Sequence, residues 1–589
     1  MAIHSFFRSP SSYLRNILFV LSLCLVGNCY AITGLFFDVS SSGTSEPLNI
    51  KLALNGLGPL TTQNYAVNGL NLTIKTVVPN HVYPTAGIKL PLGYRIAGLT
   101  PASNGYYLFS VSNTAPVSLT IIPPNPPWYP SLEAFEHYNS GRSHVFPEAT
   151  FGGSYSGNNT VDILISNTLY PSGYNMSYLN PSQAFIYGGG YGDIAGSIGA
   201  FAARVDPNTL EPIWYNQLIN TSINGEWDYP GSMGILLNGF IYVSYGYRLA
   251  KIDANGNVVK TLILPTGQAL PENTSFNGFN ATADGYIVMK SVYREAGCTI
   301  QGPSALLDCA DPTDVPSSIL VSVDPNTMKV VDNITLPAPV GARPTITVFQ
   351  GKNYVYLLEP TTAIRYAVIN GQFILDNSWN PGTITLSGQT LCTSFVVIND
   401  WVVAQTNTLP ASTALSVIAI NQADASIIYT LQPFAGDPIP TLVAAAFSTS
   451  GPGGVPAISW APMSVSADSE NNLIYASDSL PGEIAAITIT PSGLQTVWKV
   501  NQTTTEFTTL IGPSEARVIV GTDIPGPEIP GNNQNDFAVW RNAATGVELA
   551  RSPLLPAMTQ GTMIQPYYNG DMFFEGQSGQ LIKLTPRPL

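Results

Sequence analysis

Charge is scarce in this sequence: Asp, Glu, Lys and Arg make up 10% of its 589 residues, against about a quarter in an ordinary soluble domain. What charge there is leans acidic, 37 carboxylates against 23 Lys and Arg, for a formal net charge of −14. A basic face for a phosphate backbone is therefore missing, which excludes nucleic acid as a partner. Histidine is rarer still, and beyond residue 31 only His81, His137 and His144 remain. Cysteine is held to five residues, no two adjacent. No apolar run after residue 31 is long enough to cross a bilayer as a helix. Disorder is excluded from the other side, because 45% of the residues are apolar.

What is present is glycine (52), proline (48) and tyrosine (29), with β-branched residues between polar turns. That mixture predicts an all-β chain with an uncharged Ser, Thr and Asn surface. Residues 1–31 read as a secretory signal, with Arg8 and Arg15 before the apolar run Ile17–Val26 and a cleavage site at Cys29-Tyr30-Ala31. Losing those two arginines moves the net charge from −14 to −16. The expected product is exported, periplasmic or extracellular, without a membrane span. Residues 32–122 carry six short strands at regular spacing, the pattern of a small β-sandwich. The run IPPNPPWYPS then puts five prolines into ten residues. Such a run favours an extended polyproline conformation and cannot donate to a sheet interior. Residues 123–131 are read as a linker and 132–589 as the second domain.

That domain repeats one sentence. FAARVDPNTLEPIWYNQL at 201–218 is a strand, an Asp-Pro-Asn-Thr turn and a second strand. Pro207 presets φ, and Asp206 and Asn208 can bond their own backbone. VSVDPNTMKVVDNITL at 321–336 repeats it closely. Looser copies begin at Lys251, Tyr366, Ile418, Ile487 and Val539. A hairpin recurring through more than half of a chain is a repeat architecture, here the outer half of a β-propeller blade. Eight units are expected, seven being the alternative. Their middle strands are placed at Val161–Ser166, Phe240–Tyr245, Tyr286–Lys290, Tyr354–Leu358, Trp401–Gln405, Leu473–Ser477, Arg517–Gly521 and Met572–Glu575. The ring must close, and Val117–Ile122 is the candidate for the missing outer strand.

Loops leading into the inner strands converge on the channel mouth, and the site is sought there. Glu148, Asn277 and Glu506 offer oxygen ligands for a hard divalent cation such as Ca²⁺. Asp228 is the nearby candidate for a catalytic base, and Arg343, Trp460 and Gln560 are expected to line the pocket. His137 and His144 precede the first inner strand and read as solvent-exposed. Cys298 and Cys309, eleven apart in one loop, are expected to pair as a disulfide in an exported protein. Cys392 reads as a buried structural thiol.

Asn277-Gly278 followed by Asp284-Gly285-Tyr286-Ile287-Val288 resembles a blade of the gluconolactonase/regucalcin-like and strictosidine-synthase-like propellers. Pro462 with DSENNLIYASD at 468–478 is a second blade in that style. The resemblance implies the propeller fold and, in the gluconolactonase-like group, a metal held by a first-blade Glu and this Asn. Those roles fall on Glu148 and Asn277. An eight-unit ring is also similar to the quinoprotein dehydrogenases, but their vicinal cysteine pair and repeated tryptophan docking motif are absent. Two functions are carried forward. One is an exported binding or scaffold module for a glycan, peptide or protein at the channel mouth; the other is a metal-dependent lactone or ester hydrolase on the propeller axis.

Overall fold

The computed structural model describes residues 37–42, 48–54, 62–77, 82–90, 94–99, 102, 106–122, 127–155, 159–190, 197–221, 225–229, 231–301, 305, 309–311, 313–391, 393–408, 414–438, 463–504, 506–525, 535–559 and 561–588. The signal, Cys392, Trp460, Pro462 and Gln560 lie outside the described residues. The chain divides into two compact units, Met1–Pro124 and Asn125–Leu589.

The first unit is a β-sandwich of two four-stranded sheets. One carries Phe37–Ser42, Asn71–Thr76, Val117–Ile122 and Arg95–Ile96; the other carries Thr62–Val67, Leu48–Leu54, Val82–Lys89 and Tyr107–Ser112. Strict alternation of exposed and buried positions in Asn71–Thr76 sends Leu72 and Ile74 inward. They meet Ile50, Leu52, Ile88 and Val111 of the facing sheet in one core. Val117–Ile122 pairs with Asn71–Ile74 here, and so does not close the ring.

The second unit is a β-propeller. Among its described residues there are eight sheets of four or five strands and one two-stranded pair. We number these sheets by their inner strands. The first four are Gly173–Asn180, Ser232–Ile235, Thr274–Ala281 and Thr345–Phe349. The remaining four are Val396–Ile398, Ser466–Asp468, Thr509–Ile511 and Gln565–Pro566. Middle strands such as Ile241–Tyr245 and Ile287–Tyr293 are buried at every position, because a neighbouring sheet covers each face. Outermost strands such as Lys329–Thr335 expose alternate residues.

Each outer hairpin expected from the repeat is present, with Phe201–Val205 against Pro212–Gln217 and Ile319–Asp324 against Lys329–Thr335. The turns close as their chemistry demands: Asp206 Oδ1 accepts Asn208 N–H at 2.8 Å and Asp324 Oδ1 accepts Asn326 N–H at 2.9 Å. The abundant aromatics have a matching task. Tyr242 donates to Pro325 O (3.0 Å), Trp214 to Ala254 O (3.2 Å) and Trp379 to Asn421 O (3.0 Å), each reaching the outer turn of the next sheet. Gly256 is required at one such turn, since its φ is 90° and a Cβ would stand 2.8 Å from the Trp214 ring.

Ring closure differs from expectation. Asn159–Leu169 is the outermost strand of the eighth sheet, antiparallel to Gln580–Pro588. Val161–Ser166 therefore belongs to that edge, and the middle strand of the first sheet is Gln183–Gly188. Ile582 is 0% exposed and its register partner Ile165 is 48% exposed. Ile582→Ala is expected to lower unfolding stability by about 2–5 kcal/mol in denaturant melts, and Ile165→Ala by less than about 1 kcal/mol.

Candidate functional site

Residues 128–146 have almost no regular structure, yet their backbone groups are not left to water. Tyr178 N–H of the first sheet donates to Glu133 O (2.7 Å), and Ile235 N–H of the second to Ala134 O (2.7 Å). Ser140 O accepts from Asn280 Nδ2 of the third sheet (2.7 Å) and from Ile346 N–H of the fourth (2.9 Å). Val397 N–H of the fifth donates to Gly141 O, Ala467 N–H of the sixth to Ser143 O and Leu510 N–H of the seventh to His144 O, at 2.8, 3.0 and 2.8 Å. Gln565 of the eighth donates to the Glu133 carboxylate at 2.5 Å. The segment thus runs along the axis and touches every inner strand, ending as a short parallel strand, Val145–Phe146, beside Leu510–Ile511. Buried backbone needs partners, and the free inner edges supply them. Tyr138, Arg142 and His144 are held at φ of 70°, 58° and 61°. Side chains of this kind occupy that region only where surrounding contacts impose it.

The same segment concentrates charge. His137 is 2% exposed and His144 0%, the opposite of the exposed placement expected for them. Arg343 Nη1 lies 2.5 Å from Glu136 Oε1, and its Nη2 donates to Tyr174 Oη (2.7 Å) and Gly231 O (3.1 Å). Arg142 donates through Nε to Ser394 Oγ at 3.0 Å and through Nη2 to His137 Nε2. His137 Nε2 also lies 3.1 Å from Glu136 Oε1, so the arginine, the imidazole and the carboxylate meet at one nitrogen. Ser466 Oγ donates to Thr508 O (2.7 Å), so His144 Nδ1 is the donor to Ser466 (3.0 Å). The two rings stack with centroids 4.7 Å apart. Burial, with the nearby arginine charge, holds both imidazoles well below their usual range, and they are neutral.

The other candidate residues are tied into the frame. Asp228 is fully buried and accepts Ala200 N–H (2.7 Å) and Gly246 N–H (2.9 Å) on its two oxygens. Burial pushes its carboxyl up to about 7 despite those bonds. Glu506 accepts Gly561 N–H and Thr562 N–H at 2.6 and 3.1 Å. Asn277 donates to Gly341 O at 2.8 Å, and Glu148 sits half-buried in the turn after Phe146. Among the described residues, no group of three or more His, Cys, Asp or Glu is arranged to hold a metal. Cys298 and Cys309 form a disulfide.

Among the described residues, little space is left on the axis at the end where the loops leading into the inner strands converge. The space left beside Glu136, His137, Tyr174 and Thr562 is ≈10 Å³, room for about one water. A depression of ≈500 Å³ lies at the opposite end, where the inner strands finish, floored by Tyr138–Gly141 and walled by Ala281, Ile346, Val397 and Ala467. A signal for the axial segment was present: Glu133, Glu136, His137, Arg142 and His144 put five acidic, basic or imidazole groups into twelve residues of a charge-poor chain.

Fold and site together define a β-propeller whose axis is occupied by one chain segment, with a depression beside that segment where the inner strands of the third to sixth sheets finish. It is similar in fold to solved structures of low identity. Quinohemoprotein alcohol dehydrogenase from Comamonas testosteroni is 11% identical with a TM-score of 0.48, over 78% of this chain and 80% of that one. BamB from Moraxella catarrhalis is 10% identical with a TM-score of 0.38, over 72% and 96%. Sqt1 from Saccharomyces cerevisiae is 10% identical with a TM-score of 0.44, over 74% and 100%. No family model matches the sequence, and no curated protein does.

Two outcomes follow from the buried charges. Arg343→Met leaves Glu136 short of its closest cation and is expected to cost about 3–5 kcal/mol by denaturant unfolding, with part recovered in the Glu136→Leu/Arg343→Met double variant. Asp228 has a folded-state pKa raised above its unfolded value of 3.8 to about 7. Its contribution is therefore full below the unfolded value and lost as pH rises through about 7. In melts between about pH 4 and 8, Asp228→Asn is expected to flatten that part of the pH dependence.

Proposed function

We propose that this protein is an exported binding module that holds a glycan, peptide or protein segment in the open mouth of its propeller. The observation that carries the reading is the ≈500 Å³ depression between the axial segment and the third to sixth sheets. Its floor is the axial segment, fixed by hydrogen bonds to all eight sheets, so the site needs little ordering when a ligand arrives. Its lining mixes small apolar residues with Thr347, Ser469 and the exposed Glu470, a composition suited to ligands with both apolar and polar surface. Export rests on the reading of residues 1–31 and on the disulfide, which oxidising compartments favour.

Cation-assisted hydrolysis of a lactone or ester is the second reading. It draws on Asn277, whose amide oxygen is buried without a hydrogen-bond partner among the described residues. Against it, the Arg343 guanidinium packs on the adjoining Gly278, where a Cβ would stand 3.2 Å from Arg343 Nε, and a cation there would add to that positive charge.

Binding is tested by fluorescence titration against labelled oligosaccharides and peptides, comparing the native protein with Thr347→Trp. Thr347 lines the mouth and is only partly buried, so the indole is expected to fill the mouth and abolish binding with the melting temperature unchanged. Absence of any binding in both classes would remove the module reading. Calcium at about 1 mM is expected to leave the melting temperature in place; a rise of several degrees, lost in Glu148→Gln, would favour the hydrolase instead.

A further inference from the structure

We infer that the occupant of the open mouth is a basic polypeptide segment. A lysine or arginine enters with its aliphatic stem on the apolar wall and its charge toward the exposed carboxylate of Glu470. The inference rests on the binding-module reading and specifies its ligand.

The mouth's neutral polar side chains are largely committed already. Asn139 accepts Ser143 N–H at 3.2 Å and donates to Ser143 Oγ at 2.9 Å. Ser140 donates to Ala281 O at 2.7 Å, and Asn353 accepts Ala283 N–H at 2.9 Å and donates to Asp284 at 3.1 Å. Little hydrogen-bonding capacity is left there for the many hydroxyls of a sugar. The wall itself, with Val145, Ala281, Ile346, Val348, Val397 and Ala467, suits a methylene stem.

Charge then selects the head group. Asp468 and Glu470 line the mouth and share one buried guanidinium, Arg517, at 2.9 and 2.6 Å. Glu470 remains 61% exposed at its side chain. On the adjoining turns Asp284 holds Asn353, and Asp400 follows Asn399, which donates to Ser469 O at 3.3 Å. Lys352 precedes Asn353 on the same rim. Asp468 and Glu470 are the charged residues lining the mouth, and against Arg517 they leave a net charge of −1 there, within a chain of net charge −14. An apolar recess with an acidic rim complements a cation on a flexible apolar stem, and such complementarity sets partner choice and association rate.

The test uses the full-length protein and fluorescein-labelled octapeptides of one Gly-Ser-Leu framework with Lys, Arg, Gln or Glu at the central position, beside a panel of neutral oligosaccharides. The Lys and Arg peptides are expected to bind about tenfold more tightly than the Gln peptide, and the Glu peptide more weakly still. That preference is expected to shrink as NaCl rises from about 0.05 to 0.5 M. Glu470→Gln, which leaves Asp468 on Arg517, is expected to weaken the Lys peptide about fivefold without affecting the Gln peptide. Equal binding of the Lys and Gln peptides, or no change in Glu470→Gln, would overturn the inference. Oligosaccharide binding that Thr347→Trp abolishes, with no peptide binding, would overturn it and leave the module reading standing. No binding by either class would overturn both.

Discussion

Irregular backbone buried inside a protein must find hydrogen-bond partners, and in this molecule that requirement organises the centre. The segment 128–146 satisfies its carbonyls on seven of the eight sheets and meets the eighth through the Glu133 carboxylate, and those inner edges in turn lose the exposure that makes free strands hazardous. Neither side is complete alone. The sheets meet around a channel that would be lined by unpaired groups, and the segment has too little regular structure to hold itself. Its left-handed residues Tyr138, Arg142 and His144 are the local cost of reaching so many partners within so few residues.

A charge-poor chain then places a dense group of titratable side chains where water is excluded. Glu136 answers Arg343 directly and Arg142 at 3.8 Å, and the histidines are kept neutral by burial beside those cations. Replacing such a network by apolar residues is often tolerated, whereas breaking it from one side is not. The network therefore fixes the path of the segment more than it adds stability. Elsewhere the sheets are joined by neutral means, through aromatic hydroxyl and indole groups on turn carbonyls, which is why tyrosine is plentiful and lysine scarce.

The parts that were legible in the sequence are those with local causes. The Asp206 and Asp324 turns announce themselves because a short carboxylate bonds a nearby amide, and the strands they join follow. The Cys298–Cys309 pair is similarly local. Val161–Ser166 reads as a middle strand because its alternation is that of any half-buried strand, and nothing in it names a partner more than 400 residues away. His137 and His144 look like solvent residues because a polar loop usually is one. Their partners Arg142, Ser394 and Ser466 belong to a network that spans 252 and 322 residues of sequence. Where the depression lies follows from the path of that same segment, so the ≈500 Å³ mouth has no signature of its own.

The seam between Asn159–Leu169 and Gln580–Pro588 carries a temporal consequence. On the ribosome, the strand around Val161 emerges long before Pro586, its register partner, so the ring stays unsealed until translation is nearly finished. Pairings that distant are slow to form. Until then the edge strand Asn159–Leu169 has no partner to cover it, and the annulus can seal only once the last residues are free to fold back onto it.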